Sequence, residues 1–318
     1  RYRGLVGASP AMRQLYERIE AAADTRGTIL IVGESGSGKE LVARAIHEAG
    51  QNPNSPFVAL NCAAIPKDLI ESELFGYKRG AFSGANAEYL GLFRAAEGGT
   101  LFLDEVTEMS PETQSKLLRA LQERTVRPVG STKEVAVDVR MIASTNRDPH
   151  EAMESGQLRQ DLYYRLQANI LRVPPLREHA EDVPLLVEYF ITLFNEKLKP
   201  KVTLRGVEEA AMEAMQRYPW PGNVRELSNA IEGTFTFSHS PVMRLSDLPP
   251  AISDSRQGAA AAPIAAPQTG PVGTFAEAER DLISRALEST GGNKVAAAKL
   301  LRISRKKLYA KILKYGLT

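Results

Sequence analysis

Two short segments of the sequence contain residue types that can bind and cleave a phosphate chain. Residues 33–40 have the sequence GESGSGKE and follow the apolar run TILIV. Closely spaced glycines let backbone N–H groups point at a phosphate, and the lysine adds positive charge at the start of a helix. Residues 100–105, TLFLDE, form an apolar strand pattern that ends in two carboxylates. Together the two segments predict a nucleoside triphosphate site.

The phosphate-loop pattern G-x-x-x-x-G-K-[ST] fits the first segment except at Glu40, where a hydroxyl residue is usual. The sequence leaves two interpretations of Glu40 open: it ligates Mg²⁺ in place of the hydroxyl, or it favours the helix N-terminus electrostatically. In the second segment, Asp104 is expected to hold Mg²⁺ and Glu105 to polarise the attacking water. The alternative is an acidic strand end that caps the next helix. The expected ATP ligands of the loop are Gly33, Glu34, Ser35, Gly36, Ser37, Gly38, Lys39 and Glu40.

The surrounding sequence predicts the elements that position these residues. Apolar runs typical of buried parallel strands alternate with amphipathic segments such as KELVARAIHEA and PETQSKLLRALQER. This alternation predicts a doubly wound α/β subdomain at 1–175. After about Pro175 the pattern becomes all-helical, so a small helical subdomain is expected at 176–252. The runs predicted to be strands are 28–32, 56–61, 100–105 and 137–146.

The end of the chain differs in composition from the rest. Residues 253–273 are rich in Ala, Pro and Gly and predict a flexible linker, because they contain almost no large apolar side chain. The formal net charge is only +2, yet residues 289–318 contain eight basic residues and no acidic one. Residues 1–288 carry 32 basic and 38 acidic residues. The basic segment is therefore expected to meet a polyanion.

Two helical stretches of the basic segment meet near Ser304, a residue type that suits a helix N-cap. Alanines at 296–298 permit the two helices to cross closely. The pattern predicts a helix-turn-helix whose second helix, residues 305–315, enters the major groove of DNA. A solvated basic helix is the alternative. The expected DNA contacts are Lys294, Arg302, Ser304, Arg305, Lys306, Lys307 and Lys311.

Five motifs follow one another in order: GESGSGKE, GAFSGA, GGTLFLDE, LRQDLYYRL and WPGNVREL. Followed by a basic helix-turn-helix, they resemble the sigma-54-dependent transcriptional activators, or bacterial enhancer-binding proteins, a branch of the AAA+ ATPases. GKE in place of GK[ST] is usual in that family, so Glu40 supports the resemblance. The resemblance covers about residues 4–252 and 274–318. It implies an AAA+ P-loop NTPase fold with a parallel sheet and a helical lid, followed by an all-α, Fis-like helix-turn-helix domain.

The GAFSGA segment matches the loop through which these activators contact the sigma factor. Ser83 stands where the family has Thr, so the hydroxyl is kept and a methyl group is lost. A second loop, around 124–133, lies where the family has one that supports the first. Without the resemblance, an aromatic residue between glycines more often occupies a buried turn. The expected sigma-factor contacts are Gly80, Ala81, Phe82, Ser83, Gly84 and Ala85.

Other matched positions concern catalysis. Asn61 matches the switch asparagine, which would hold Glu105 back until the nucleotide geometry is right; a buried polar strand end is the alternative. Arg159 and Arg165 match arginines that reach into the site of a neighbouring subunit and offset transition-state charge. Solvated arginines are the alternative there. Thr145 and Asn146 match the sensor that reads the γ-phosphate. Arg225 matches the second sensor, which lies on the helical lid.

By this resemblance the chain is expected to hydrolyse ATP with Mg²⁺, to bind double-stranded enhancer DNA and to remodel sigma-54 RNA polymerase holoenzyme so that open promoter complexes form. Arginines that act in a neighbouring subunit imply a homo-oligomeric ring, a hexamer or heptamer. A repressor with a vestigial ATPase fold and a DNA-processing AAA+ motor are the rival classes. The repressor is expected to lack the Phe82 loop, Glu105 or the two arginines that act in a neighbouring subunit. The motor is not expected to keep GAFSGA or to end in a tethered sequence-reading module.

The remaining features bear on location. The single cysteine, Cys62, suits a reducing compartment. No apolar run approaches the roughly 18 residues that span a membrane. We therefore expect a protein of the bacterial cytoplasm. Because the sequence begins with Arg1 rather than Met, we also expect it to be a fragment that lacks a segment in front. By the resemblance, a receiver or ligand-sensing domain would precede Arg1, as in a two-component regulatory system.

Overall fold

Short runs of β-branched residues and leucine form the strands of the structure, a computed structural model that describes residues 2–198, 203–237 and 240–254 and also Lys294, Leu308, Lys311 and Tyr315. Within these residues the strands are β1 (Ile29–Val32), β2 (Phe57–Asn61), β3 (Thr100–Asp104), β4 (Thr125–Val126), β5 (Val135–Ala136), β6 (Arg140–Thr145), β7 (Asn169–Arg172), β8 (Gly206–Val207) and β9 (Val242–Met243).

Several of the helices begin after a residue whose side chain caps the first turn. Ser9 and Ser110, for example, each accept a hydrogen bond from a backbone N–H of the first turn and are each followed by proline. The α-helices of the described residues are α1 (Pro10–Ala23), α2 (Lys39–Ala49), α3 (Lys67–Phe75), α4 (Leu92–Ala95), α5 (Pro111–Glu123), α6 (Pro149–Glu154), α7 (Gln160–Leu166), α8 (Val183–Leu198), α9 (Glu209–Arg217), α10 (Asn223–Phe237) and α11 (Pro250–Ser253).

Five strands form one parallel sheet in the order β2-β3-β6-β1-β7. The register pairs Val32 with Thr145 and Asn61 with Asp104, so the carboxyl ends of these strands meet at one edge. In open α/β sheets ligands bind outside this edge, where the strand order reverses. The four runs predicted as strands are present. The fifth strand, β7, was not predicted, because NILR mixes polar and apolar residues over only four positions.

The sheet is buried on both faces, which explains its continuous apolar runs. Successive residues of β1 enter opposite cores: Leu30 packs on one side of the sheet, while Ile29 and Ile31 pack on the other. All three side chains are fully buried. Complete burial of one such side chain stabilises the folded state by about 1.5–3 kcal/mol. Because β1 is buried on both sides, it holds the start of the following loop, residues 33–38, in place.

A separate core holds the lid, which comprises helices α8 to α11. Trp220 lies at its centre without exposure to solvent, and its indole N–H donates to the carbonyl of Met215 at 2.7 Å. The prediction that this part is all-helical is wrong in one respect. Strands β8 and β9 pair in parallel there, with Gly206 opposite Val242. Two residues per strand are too short for a periodic pattern in the sequence.

The N-terminal segment is bound to the start of the lid by one buried carboxylate. Asp182 accepts hydrogen bonds from the backbone N–H of Ala8 at 2.6 Å and of Ser9 at 3.0 Å, and it lies 3.2 Å from Nδ1 of His179. Burial alone would raise the pKa of Asp182, but these hydrogen bonds together hold it below the ordinary value. The contact therefore depends on an ionised carboxylate.

The chain divides into two compact units, Arg1–Gln257 and Gly258–Thr318. In the second unit the four described residues are all helical, and Leu308 is buried. Most of the expected linker and the expected DNA contacts Arg302, Ser304, Arg305, Lys306 and Lys307 lie outside the described residues. Among those that are described, no helix combines the length and apolar character that crossing a membrane requires.

Candidate nucleotide-hydrolysis site

The phosphate loop connects β1 to α2 and adopts a tight turn. The N–H and hydroxyl of Ser37 both donate to the carbonyl of Glu34, at 3.3 and 2.8 Å. Gly36 and Gly38 have φ values of +77° and +96°, which side chains other than glycine rarely adopt. Helix α2 begins directly after Gly38, so its first N–H groups face the concave side of the loop. This geometry suits a phosphate group.

Lys39 is held inside the loop by an ion pair. Its Nζ lies 3.1 Å from Oε1 of Glu105 and donates to the carbonyl of Gly33 at 2.9 Å. The two charged side chains are only 6% and 12% exposed. A buried pair of this kind is costly to break on one side only, because the remaining charge loses its partner. A phosphate that attracts Lys39 would therefore release the Glu105 carboxylate in the same step.

Two carboxylates at the end of β3 are fixed from the neighbouring strand β6. The hydroxyl of Ser144 donates to Oδ1 of Asp104 and accepts from the N–H of Glu105 at 3.2 Å. The backbone N–H of Asn146 donates to Oε2 of Glu105 at 2.9 Å. Sequence reasoning missed Ser144, although its position directly before the predicted sensor residues in ASTN could have indicated it. These hydrogen bonds orient both carboxylates.

The single cysteine, Cys62, is buried near the carboxylates of Asp104 and Glu105. Burial raises the pKa of the Cys62 thiol to about 12, and the charges of Asp104 and Glu105 add to the effect. The thiol therefore stays protonated at neutral pH, which makes it a poor nucleophile and a poor metal ligand.

Oxygen ligands for Mg²⁺ are available at one expected position. Asp104 offers a carboxylate at the strand end, and Mg²⁺ commonly takes one or two protein carboxylates together with substrate phosphates and water. Glu40 is exposed and accepts two hydrogen bonds from Arg44, at 2.9 and 3.2 Å, along the surface of α2. Among the described residues, no group of three or more His, Cys, Asp and Glu side chains is arranged to hold a metal. The Asp104 carboxylate fits an ion that is also bound by nucleotide phosphates.

Asn61 does not contact Glu105 in this arrangement. It lies opposite Asp104 in the register of β2 and β3, but its side-chain oxygen accepts from the N–H of Ala63 at 2.9 Å. This local bond caps a short 3₁₀ turn. The expectation that Asn61 holds Glu105 therefore does not describe this state, in which the partners of Glu105 are a lysine and backbone or hydroxyl groups.

The expected sensor residues flank the loop from two sides. Thr145 is fully buried at the end of β6, and its carbonyl accepts from the N–H of Gly33 at 3.2 Å. On the lid, Arg225 donates from its backbone N–H to the carbonyl of Gly36 at 3.2 Å and from its guanidinium to the Ser35 hydroxyl at 3.2 Å. The lid helix α10 is thus in direct contact with the phosphate loop.

Two lid-side residues that sequence reasoning did not select also reach the loop. Arg177 forms two hydrogen bonds with the carboxylate of Glu34, at 2.7 and 2.8 Å. Asn223 donates to the same carboxylate and to the carbonyl of Ser35, both at 3.1 Å. The charge pattern gives no signal for Arg177, since it is one arginine among many, whereas Asn223 lies inside the WPGNVREL motif.

The two expected finger arginines lie away from the loop of their own chain. Arg159 forms an ion pair with Asp161 at 2.7 Å, and Arg165 donates to the carbonyl of Leu121 at 3.0 Å. Both side chains are exposed. Within the described residues, neither side chain is hydrogen-bonded or ion-paired to Glu105 or Lys39.

The segment 80–85 forms a small exposed loop. The N–H of Gly80 donates to the carbonyl of Ala85 at 2.9 Å, which closes the loop at its base. Phe82 is 42% exposed and packs edge-on against Tyr77, with 5.0 Å between ring centroids. Ala81 packs against Gly130, which belongs to the turn between β4 and β5. The second loop expected near 124–133 is therefore a β-hairpin that contacts the first loop.

Comparison with known proteins identifies this combination of fold and site. The family described as Sigma-54 interaction domain matches residues 5–172, and the AAA+ ATPase lid domain matches 177–264. The family described as Bacterial regulatory protein, Fis family matches 274–315. These matches define an AAA+ ATPase with a helical lid and a C-terminal helix-turn-helix domain. The chain belongs to the family of sigma-54-dependent transcriptional activators.

Individual relatives extend over nearly the whole chain. It is 46% identical to the transcriptional regulatory protein ZraR of Salmonella typhimurium, covering 97% of this chain and 68% of that protein. It is 45% identical to the response regulator protein PilR of Pseudomonas aeruginosa, covering 98% and 70%. The crystal structure of NtrX from Brucella abortus in complex with ATP superimposes with a TM-score of 0.75 at 34% identity, covering 100% and 71%. The predicted fold class, the ATPase activity and the function as a sigma-54 activator are confirmed.

Proposed function

We propose that ATP hydrolysis at the edge of the sheet, with Mg²⁺ as the metal, drives the segment 80–85 against the sigma-54 RNA polymerase holoenzyme. The observation that best supports this proposal is that Lys39, Asp104 and Glu105 lie together beside the phosphate loop. The same chain exposes Phe82 on a loop flanked by glycines. The proposed sigma-factor contacts are those expected from the sequence, from Gly80 to Ala85. Movement of these residues against the sigma-54 holoenzyme would lead to an open promoter complex.

The existing contacts suggest how the residues act in turn. Lys39 binds the β and γ phosphates and thereby leaves Glu105. Glu105 is then available to accept a proton from water, while the N–H of Asn146 keeps the carboxylate oriented. Bound Mg²⁺ would neutralise phosphate charge, with Asp104 and its Ser144 partner as the protein contribution. Thr145, Asn146 and Arg225 would report the γ-phosphate to the sheet and the lid.

We propose that each site is completed by a neighbouring copy in a ring, a hexamer or heptamer. Arg159 and Arg165 are exposed, lie away from the loop of their own chain and could stabilise transition-state charge in the next one. An arginine supplied in this way is worth about 10³–10⁵ in rate. Hydrolysis should therefore rise steeply with protein concentration.

The domain limits proposed are 1–175 for the α/β subdomain, 176–252 for the lid, 253–273 for a flexible linker and 274–318 for the DNA-binding domain. We propose that the last of these binds double-stranded enhancer DNA through its basic helices. A location in the bacterial cytoplasm is proposed because the sigma-54 holoenzyme is the proposed partner. Control by a two-component regulatory system is proposed from similarity to PilR, a response regulator by name.

A complementation experiment tests the shared site. Arg165→Ala and Glu105→Gln variants should each hydrolyse ATP at about 10⁻² of the normal rate or less. A mixture of the two should regain activity, because about one quarter of randomly formed interfaces would combine an intact Arg165 with an intact Glu105. Arg217→Ala, which breaks an exposed ion pair on the lid, serves as control and should remain active. No recovery at any mixing ratio would contradict the proposal.

A further inference from the structure

Glu34 occupies an unusual position for a carboxylate, because it lies in a loop that receives polyphosphate. Its side chain does not face the concave side of the loop but meets Arg177 in a bidentate pair, at 2.7 and 2.8 Å. Arg177 belongs to the 3₁₀ helix Leu176–Asp182, which leads from the sheet into the lid. Two parallel N–H···O bonds fix both distance and orientation, unlike a single ion contact.

Asn223 joins the same contact from the first residue of α10. Its side-chain oxygen accepts from the N–H of Leu176 at 2.8 Å, while its amide nitrogen donates to Glu34 and to the carbonyl of Ser35, each at 3.1 Å. The residue is completely buried and has a φ of +53°. One side chain thus ties together the phosphate loop, the 3₁₀ helix and the lid helix.

The backbones of loop and lid also touch directly. A Cβ atom on Gly36 would lie 2.3 Å from the carbonyl oxygen of Gly222, so no space remains between the two segments. The N–H of Arg225 donates to the carbonyl of Gly36 at 3.2 Å. Movement of α10 must therefore displace the loop or break these contacts. The hydrogen bonds from Arg177 also lower the pKa of Glu34, so the carboxylate is ionised at neutral pH.

We propose that Glu34, Arg177 and Asn223 form a latch through which the lid sets the shape of the phosphate loop and hence the affinity for nucleoside di- and triphosphates. In this assignment Glu34 is a positioning residue rather than a phosphate ligand. Arg177 acts in two ways, since it holds the loop to the lid and also neutralises a carboxylate that would otherwise repel phosphate. The latch acts within one chain, so the measurement of ADP affinity does not depend on ring formation or on sigma-54.

The latch predicts a particular pattern of ADP affinities. Arg177→Gln leaves Glu34 without its cationic partner near the phosphates and should raise the Kd about tenfold. Glu34→Gln breaks the ion pair but also removes the repulsion, so a rise of about threefold is expected. The double variant should resemble Glu34→Gln and bind better than Arg177→Gln alone. Independent residues would instead give a product of about thirtyfold.

The measurement is displacement of a fluorescent ADP analogue by ADP from the full 318-residue chain, followed by anisotropy. Steady-state hydrolysis at one fixed protein concentration should show the KM for ATP raised with the Kd, and kcat within about twofold of normal. Arg217→Gln is the matched control, since Arg217 forms a similarly exposed ion pair with Glu213 at 3.0 Å on the lid surface, away from the loop. Its Kd should be unchanged.

Arg177→Lys covers the case in which Arg177→Gln fails to fold. It keeps the charge but loses the guanidinium fork, so a rise in Kd of about threefold is expected. Unchanged ADP affinity in Arg177→Lys and, where it folds, in Arg177→Gln would overturn the latch. A double variant as weak as the product of the single effects would overturn it as well. A fall in kcat with unchanged KM would assign these residues to catalysis instead and likewise refute the proposal.

Discussion

The edge of the sheet and the loop at 80–85 differ in how their functional side chains are held. At the edge, Lys39 and Glu105 are almost completely buried, and each has more than one bonded partner. In the loop, Phe82 is exposed and has one aromatic neighbour, Tyr77. Few buried contacts and a mobile surface segment go together in proteins. The comparison indicates a preorganised reaction site and, in the proposed sigma-factor loop, an exposed side chain with few partners.

The glycines of the phosphate loop and of the loop at 80–85 also differ in how closely other atoms surround them. At Gly36 a Cβ atom would collide with the lid backbone, whereas at Gly80 and Gly84 a Cβ atom would meet nothing within 4 Å. All three have positive φ, so all three favour glycine for conformational reasons. Only Gly36 is also required by packing. The loop at 80–85 is therefore limited by its backbone conformation, and the phosphate loop by its neighbours.

The largest effect is expected at the rigid site. Glu105→Gln removes the carboxylate that accepts the proton from water, so the hydrolysis rate should fall about 10²- to 10⁴-fold. ADP affinity should not fall, because the phosphate loop is intact and Lys39 no longer has to leave a carboxylate. The rate is measured by phosphate release and the affinity by analogue displacement. Hydrolysis within tenfold of normal would remove Glu105 from the role of base.

At the exposed loop, residues 80–85, ATP hydrolysis and promoter opening should separate. Phe82→Ala deletes the exposed ring, which should reduce promoter opening about a hundredfold if the ring is a central contact of the interface. ATP hydrolysis should remain within about twofold of normal. Leu90→Ala removes another exposed apolar side chain outside the loop and should affect neither activity. Normal promoter opening by Phe82→Ala would contradict the role of the loop.

A stability measurement examines how firmly the lid is attached to the rest. Asp182→Asn replaces a buried charged acceptor and should destabilise the fold by about 2 kcal/mol, or lower the Tm by about 5 °C. The folded-state pKa of Asp182 lies below its unfolded value. Its contribution is therefore complete above about pH 4 and is lost as the pH falls through the folded-state pKa.

Thermal unfolding of both proteins from pH 7 to pH 3 provides the check. The difference in Tm between them should be constant near neutrality and should shrink in acid. A difference that persists unchanged at pH 3 would show that the carboxylate charge is not what attaches the lid.

The smallest effect is expected from Ser83→Thr, which adds a methyl group to the exposed loop. The hydroxyl is retained, and the flanking Gly84 leaves open space. Promoter opening should change by less than about fivefold, since one additional methyl group is worth at most about 1 kcal/mol. A tenfold gain would mean that packing of the loop already limits the output.

The sequence predicted the carboxyl edge of the sheet well, because each strand, loop and helix there is encoded by one short continuous segment. Helix α2 begins at Lys39 as its pattern indicates, and the strand before Asp104 is continuous and apolar. The partners of these residues were harder to predict. Ser144 and Arg177 reach the site from segments distant in sequence, and their types are common on any surface. Short strands such as β7 and β8 carry too few residues for a periodic signal.

The Asn61 expectation illustrates another limit. A motif match can indicate which residues act together at some stage of a cycle, but not which contacts one state contains. Here the partner of Glu105 is Lys39, and Asn61 caps its own turn. The identity of the residues was available from the sequence, whereas their pairing required coordinates.

The central claim is that cleavage of ATP, not binding alone, moves the exposed loop against the promoter-bound polymerase. The most direct test is open-complex formation by sigma-54 holoenzyme on a supercoiled promoter, with ATP or with a non-hydrolysable analogue at saturating concentration. We predict open complexes with ATP and none above background with the analogue. Equal opening with both nucleotides, or without nucleotide, would contradict the account.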